Sequence, residues 1–87
     1  MTLSNIIFTT HALKQIRDRK VSKPLVKRML HDPGQIVSDK EGNPVAQSRY
    51  SDQMEGKEML LRVFYSREQG VSRVLTIYQT SQIEKYW

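Results

Sequence analysis

Two segments near the C-terminus, Glu58 to Tyr65 and Val71 to Gln79, are dense in β-branched and aromatic residues, and Arg67 to Gly70 between them has turn composition. That pattern reads as a β-hairpin, the strongest local signal in the chain. If Tyr65 pairs with Ser72, then Leu61, Val63, Val74, Thr76 and Tyr78 share one face, because side chains alternate along a strand. Leu60, Arg62, Phe64, Arg73, Leu75 and Ile77 share the other. A slip of one residue reassigns every face.

Upstream, Gln35 to Asp39 and Val45 to Tyr50 read as shorter strands around the turn Glu41-Gly42-Asn43-Pro44, with a polar turn from Asp52 to Lys57. Ile6, Ile7 and Phe8 form a β-prone run. Thr9 and Thr10 follow as possible caps, and Ala12, Leu13 and Ile16 recur at helical spacing, predicting a helix over His11 to Lys20. Ser22 is a good N-cap and Pro24 fits a first turn. Leu25, Val26, Met29 and Leu30 stripe a second helix, which Asp32, Pro33 and Gly34 stop. The tail from Ser81 to Trp87 has no regular pattern, and Tyr86 and Trp87 are expected to cover one end of the sheet. The order β-α-α-β-β-β-β predicts an α+β domain, two N-terminal helices packed on an antiparallel sheet of about four strands.

Eighty-seven residues bound this to one domain with a modest core. There is no cysteine, hence no disulfide framework or thiolate metal site. No apolar stretch approaches about 18 residues, and no leader pattern stands at the N-terminus. A cytoplasmic protein without membrane contact is expected.

Charge is concentrated. Lys14, Arg17, Arg19, Lys20, Lys23, Lys27 and Arg28 face only Asp18 between Lys14 and Arg28, a local +6, while the remainder nets −1. Such a stripe suits a polyanion, usually nucleic acid, or an acidic protein segment. It is also what two solvated helix faces look like.

The nine acids are scattered and His11 and His31 stand twenty residues apart, so no metal-ligand spacing and no cofactor motif is visible. What remains is a set without acids: His11, several arginines, Lys85, Tyr65, Tyr78 and Tyr86. Metal-independent RNA cleavage needs little more. The 2′-hydroxyl attacks, one group accepts its proton, another protonates the leaving 5′-oxygen, and cations hold the phosphorane. His11 and Tyr78 are the candidates for proton transfer, and Arg19, Arg62 and Arg73 for the phosphate. Lys14, Arg17, Lys20, Lys23, Lys27, Arg28 and Lys85 are candidate backbone contacts. Each has a structural alternative: His11 as a cap, Arg17 paired with Asp18, His31 offsetting a helix dipole, Tyr78 as packing. Arg62 and Arg73 are the most telling, since charge inside strong strands must reach an edge, groove or partner.

The run from Phe8 through Thr9, Thr10, His11, Ala12 and Leu13, then Ile16 to Arg19, then Val21-Ser22, resembles the opening of the bacterial family known as domain of unknown function 4258. Leu30 to Pro33 resembles its end of helix two, and Val74 to Tyr78 with Lys85, Tyr86 and Trp87 its close. The layout is similar to BrnT and, more distantly, to RelE-like ribonuclease toxins. The resemblance implies helices on an antiparallel sheet, RNA cleavage without metal, and an acidic antitoxin as partner. His11 and Arg19 match the opening motif, Tyr78 and Lys85 the closing one. Gln15 stands where the pattern often has Arg and Lys20 where it has Gly; the first departure implies a lost phosphate contact. The expectation is therefore a small toxin-like endoribonuclease, the alternative a non-catalytic RNA- or protein-binding module of the same fold.

Overall fold

The computed structural model describes residues 5–19, 21–52 and 56–87. The chain runs β1 (Asn5–Phe8), α1 (Thr10–Arg19), α2 (Lys23–His31), β2 (Gln35–Ser38), β3 (Pro44–Asp52), β4 (Lys57–Glu68), β5 (Val71–Thr80) and α3 (Ile83–Tyr86). The five strands form one sheet in the order β1-β5-β4-β3-β2. The α+β class holds, but the sheet is mixed rather than antiparallel, and has five strands rather than about four. β1 adds to the edge of β5 in parallel, Phe8 beside Val74, while the other pairs are antiparallel. Local composition showed that Ile6 to Phe8 was β-prone. It carried no information about a partner nearly seventy residues away.

The helices begin where the caps predict. Thr9 is tied at both ends: its Oγ1 donates to the Val74 carbonyl (2.9 Å) and accepts from the Ala12 amide (3.1 Å), so one residue caps α1 and fastens it to β5. The Ser22 hydroxyl accepts from the Leu25 amide at 3.2 Å, and Pro24 sits in the first turn of α2. Both helices lie on one face of the sheet. Their stripes bury Ala12, Val26, Met29 and Leu30 against Ala46, Leu61, Val63, Tyr65, Val74 and Ile77. Each of the larger apolar side chains stabilises the fold by roughly 1.5–3 kcal/mol on burial.

The hairpin is longer than its composition suggests. Strand pairing continues to Glu68 and Val71, leaving Gln69 and Gly70 as a two-residue turn with φ of 50° and 80°. Positive φ at both positions is the type I′ geometry that matches strand twist. Tyr65 pairs with Val74, not Ser72, and the register slips between Phe64 and Tyr65. This bulge, at Leu75, changes the phase of β5. Thr76 and Tyr78 thereby leave the face assigned by simple alternation, and Ile77 joins the helix-packed core. The tail, expected to be irregular, forms the short α3, and Tyr86 lies against Gln47 and Arg62 on the opposite face of the sheet.

Candidate functional site

On the face away from α1 and α2, the strand register aligns Gln35 (β2), Gln47 (β3), Arg62 (β4) and Tyr78 (β5) in one cross-strand row. Gln47 is fully buried. Its amide nitrogen donates to Gln35 Oε1 (2.6 Å) and to the Tyr86 carbonyl (3.0 Å), while its Oε1 accepts from Arg62 Nε (3.0 Å). A buried amide so satisfied costs little and fixes its neighbours. Here it holds Arg62 on one side and the tail on the other.

The Arg62 guanidinium carbon lies 4.2 Å from the Tyr86 ring centre and 5.2 Å from that of Phe64. Aromatic faces stabilise a cation by about 0.5–2 kcal/mol each, more when water is excluded. Arg62 makes no ion pair with a carboxylate among the described residues. Arginine has five N–H donors in a planar fork, and only Nε–H is used by Gln47. The remaining donors suit a phosphate, which an arginine can hold bidentately.

Tyr78 meets Tyr86 edge-to-face, ring centres 5.9 Å apart at 76°. Its phenol is held below the ordinary tyrosine range. A hydrogen bond with the Tyr86 side chain contributes most, then one with Thr80; burial opposes them, and the charges of Lys85 and Arg19 add to the lowering. Lys85 Nζ stands 5.5 Å from the Tyr86 ring centre. Arg62, Tyr78 and Lys85 therefore meet at one patch of the sheet, two of them from strands and one from the tail, and the charge of Arg19 in α1 acts on Tyr78 from further off.

How the charge of Arg19 comes to act on Tyr78 follows from the mixed sheet. β1 ends at Phe8, so β5 has a free edge beyond Val74, and α1 runs beside it. Gln15 Oε1 accepts from the Ile77 amide at 2.8 Å, closing that edge. Arg19 lies one turn further along the same helix stripe, four residues on. Gln15 thus has a structural role where the family pattern implied a phosphate contact.

The other expected site residues stand elsewhere. His11 lies exposed on the same stripe, but eight residues before Arg19, about 12 Å along the helix. Arg73 is exposed and flanked by the buried Ser72 and Val74, which puts it on the same face as Arg62. Its cross-strand partner is Ser66, however, four residues and about 13 Å along β4 from Arg62. Lys14, Arg17, Lys23, Lys27 and Arg28 are exposed on α1 and α2, on the opposite face from Arg62 and Tyr78. Arg17 pairs with Asp18 at 3.5 Å and Lys23 stands over Phe8 at 5.7 Å. Lys20 lies outside the described residues. The basic helices and the sheet residues therefore do not form one flat surface; Arg19, at the β5 edge, is the link between them.

Sequence reasoning missed Gln47, Gln35 and Phe64. A signal existed in Gln47, an amide within the strand run Val45-Ala46-Gln47, where polarity without a partner would be costly.

Among the described residues, no three of His, Asp and Glu converge as a metal site, and no helix is long and apolar enough to cross a membrane. No family model matches the chain, and no match is found among curated proteins or solved structures.

Proposed function

We propose that this protein is a small metal-independent endoribonuclease of toxin–antitoxin type. The observation that carries the reading is the Gln47–Arg62–Tyr78 row, with Lys85 and Arg19 around it and no carboxylate paired to Arg62 among the described residues. Arg62 holds the two non-bridging oxygens of the scissile phosphate, with Arg19 and Lys85 adding positive charge. The RNA 2′-hydroxyl attacks phosphorus and loses its proton to solvent. The bond to the 5′-oxygen breaks, and Tyr78 protonates that oxygen. A phenol of lowered pKa is the better acid for this step. The products are a 2′,3′-cyclic phosphate and a 5′-hydroxyl. Lys14, Arg17, Lys20, Lys23, Lys27 and Arg28 serve the flanking RNA or an acidic antitoxin in a bacterial cytoplasm.

The distances of His11 and Arg73 from the row favour a second reading, an RNA-binding module of this fold that does not cleave. One experiment separates the two: total RNA incubated with purified protein in EDTA, with the ends analysed. Cyclic phosphate ends that vanish in Tyr78→Phe support the nuclease. Intact RNA with salt-sensitive binding supports the module, since phosphate contacts release counterions. Cleavage that needs Mg²⁺, or that survives in a His11→Ala/Tyr78→Phe double variant, overturns the mechanism.

A further inference from the structure

Beside the Arg62 row, on the same face of the sheet, lies an open cleft of about 470 Å³. Its floor is formed by Arg49 of β3 and Glu58 of β4, and its wall by the tail from Ser81 to Lys85. The volume falls in the range of small-molecule sites. Its chemistry differs from that of the neighbouring row: the row has no acid, whereas the cleft carries two, Glu58 and Glu84. Lys85 borders both.

We infer that this cleft is a guanine subsite for single-stranded RNA whose adjoining phosphate rests on Arg62. The inference rests on the RNA reading given above and names the base next to the phosphate. Three features carry it. First, Arg49 offers a flat cationic plane whose guanidinium carbon lies 4.8 Å from the Trp87 ring centre, so the plane is backed by an indole. Unstacked RNA bases stack on such guanidinium planes. Second, an ionised carboxylate only accepts hydrogen bonds. Guanine presents N1–H and the 2-amino group side by side, a matching pair of donors. Uracil presents one N–H between two carbonyls, which a carboxylate repels. Glu84 makes no ion pair with another described residue, and Glu58 shares Arg49 only at 3.8 Å. Third, Glu58 and Arg62 are four residues apart on β4, about 13 Å. That separation leaves room for a base in the cleft with the phosphate of its own nucleotide on the row.

The test uses the full chain and fluorescein-labelled oligouridine with 2′-O-methyl groups, so that nothing is cleaved. One central uridine is replaced by guanosine, adenosine or cytidine, and binding is followed by anisotropy. The guanosine oligomer is expected to bind about tenfold more tightly than all-uridine, within the discrimination one bidentate base contact supplies. In Glu84→Gln the ratio is expected to fall severalfold, and in Glu58→Gln/Glu84→Gln to near one. Glu84 is exposed on the tail, so its change leaves the core intact. A second measurement, NMR titration with guanosine and uridine monophosphates, is expected to shift the amides of Ser81 to Lys85 for guanosine alone. Equal affinity for all four oligomers, with salt-sensitive binding retained, overturns the guanine subsite and leaves the phosphate site standing. Absence of binding to every oligomer overturns both.

Discussion

The guanidinium of Arg62 is stacked on the ring of Tyr86, 4.2 Å from its centre, by a tail that the buried Gln47 ties to the sheet through the Tyr86 carbonyl. An arginine in the middle of a strand is thus held flat, oriented and free of any carboxylate partner among the described residues. Replacing it should harm function more than folding. Arg62→Ala is expected to lower RNA binding at least tenfold, roughly 1.4 kcal/mol. Arg62→Lys should not restore it, because an ammonium offers neither the planar fork nor the Nε–H that Gln47 accepts. Arg73→Ala, about 13 Å away along the hairpin, should have the smaller effect. The comparison is one anisotropy titration across three variants, and an Arg73 effect equal to that of Arg62 would move the site.

Gln47 cannot touch RNA, since it is fully buried, yet it should matter to binding. Gln47→Leu leaves Arg62 Nε and the Tyr86 carbonyl without their partner, at a cost of about 1–3 kcal/mol each for whatever remains dry. Urea denaturation should show lowered stability, and the RNA affinity of the folded variant should fall because Arg62 and the tail lose their anchor. Unchanged affinity would show that Arg62 is oriented by its aromatic neighbours alone.

Gly34 is placed where a side chain has no room. A Cβ there would stand 2.8 Å from Cη2 of Trp87 and 3.2 Å from the Gln47 carbonyl oxygen. Gly34→Ala should push Trp87 off the sheet. Trp87 is the single tryptophan, so its emission should shift to the red on substitution. Affinity for RNA should fall in parallel if the tail completes the site; a shift without loss of affinity would separate tail and site.

Tyr78 gives a pH prediction. Its phenol is held below the ordinary value of about 10, first by the Tyr86 hydrogen bond, then by Thr80, with Lys85 and Arg19 adding to it against burial. A depressed acid adds stability only above its folded pKa. The contribution is complete above the unfolded value and is lost as pH falls through the folded one. NMR titration should place the Tyr78 midpoint below the ordinary tyrosine value, and Lys85→Ala or Arg19→Ala should move it upward. A midpoint indifferent to both would remove those cations from the patch.

Much of the architecture was legible locally. The stripe of Val26, Met29 and Leu30, the Ser22 cap and the β-branched runs of β4 and β5 are short-range patterns. Periodicity and capping chemistry act over a few residues, so the helices and strands followed from them. The charge run likewise located the exposed cations of α1 and α2. The tertiary structure decided what depends on distant pairing. The bulge at Leu75 is invisible in composition, yet it turns Tyr78 onto the face of Arg62 and Ile77 into the core. The parallel docking of β1 leaves the β5 edge open, which brings Gln15 and Arg19 beside it. Side-chain faces depend on register, and register is settled by the summed packing of both faces rather than by any one segment. Sequence alone therefore supplied the parts of the candidate site. Only the fold set Arg62, Tyr78 and Lys85 at one patch and left His11 and Arg73 outside it.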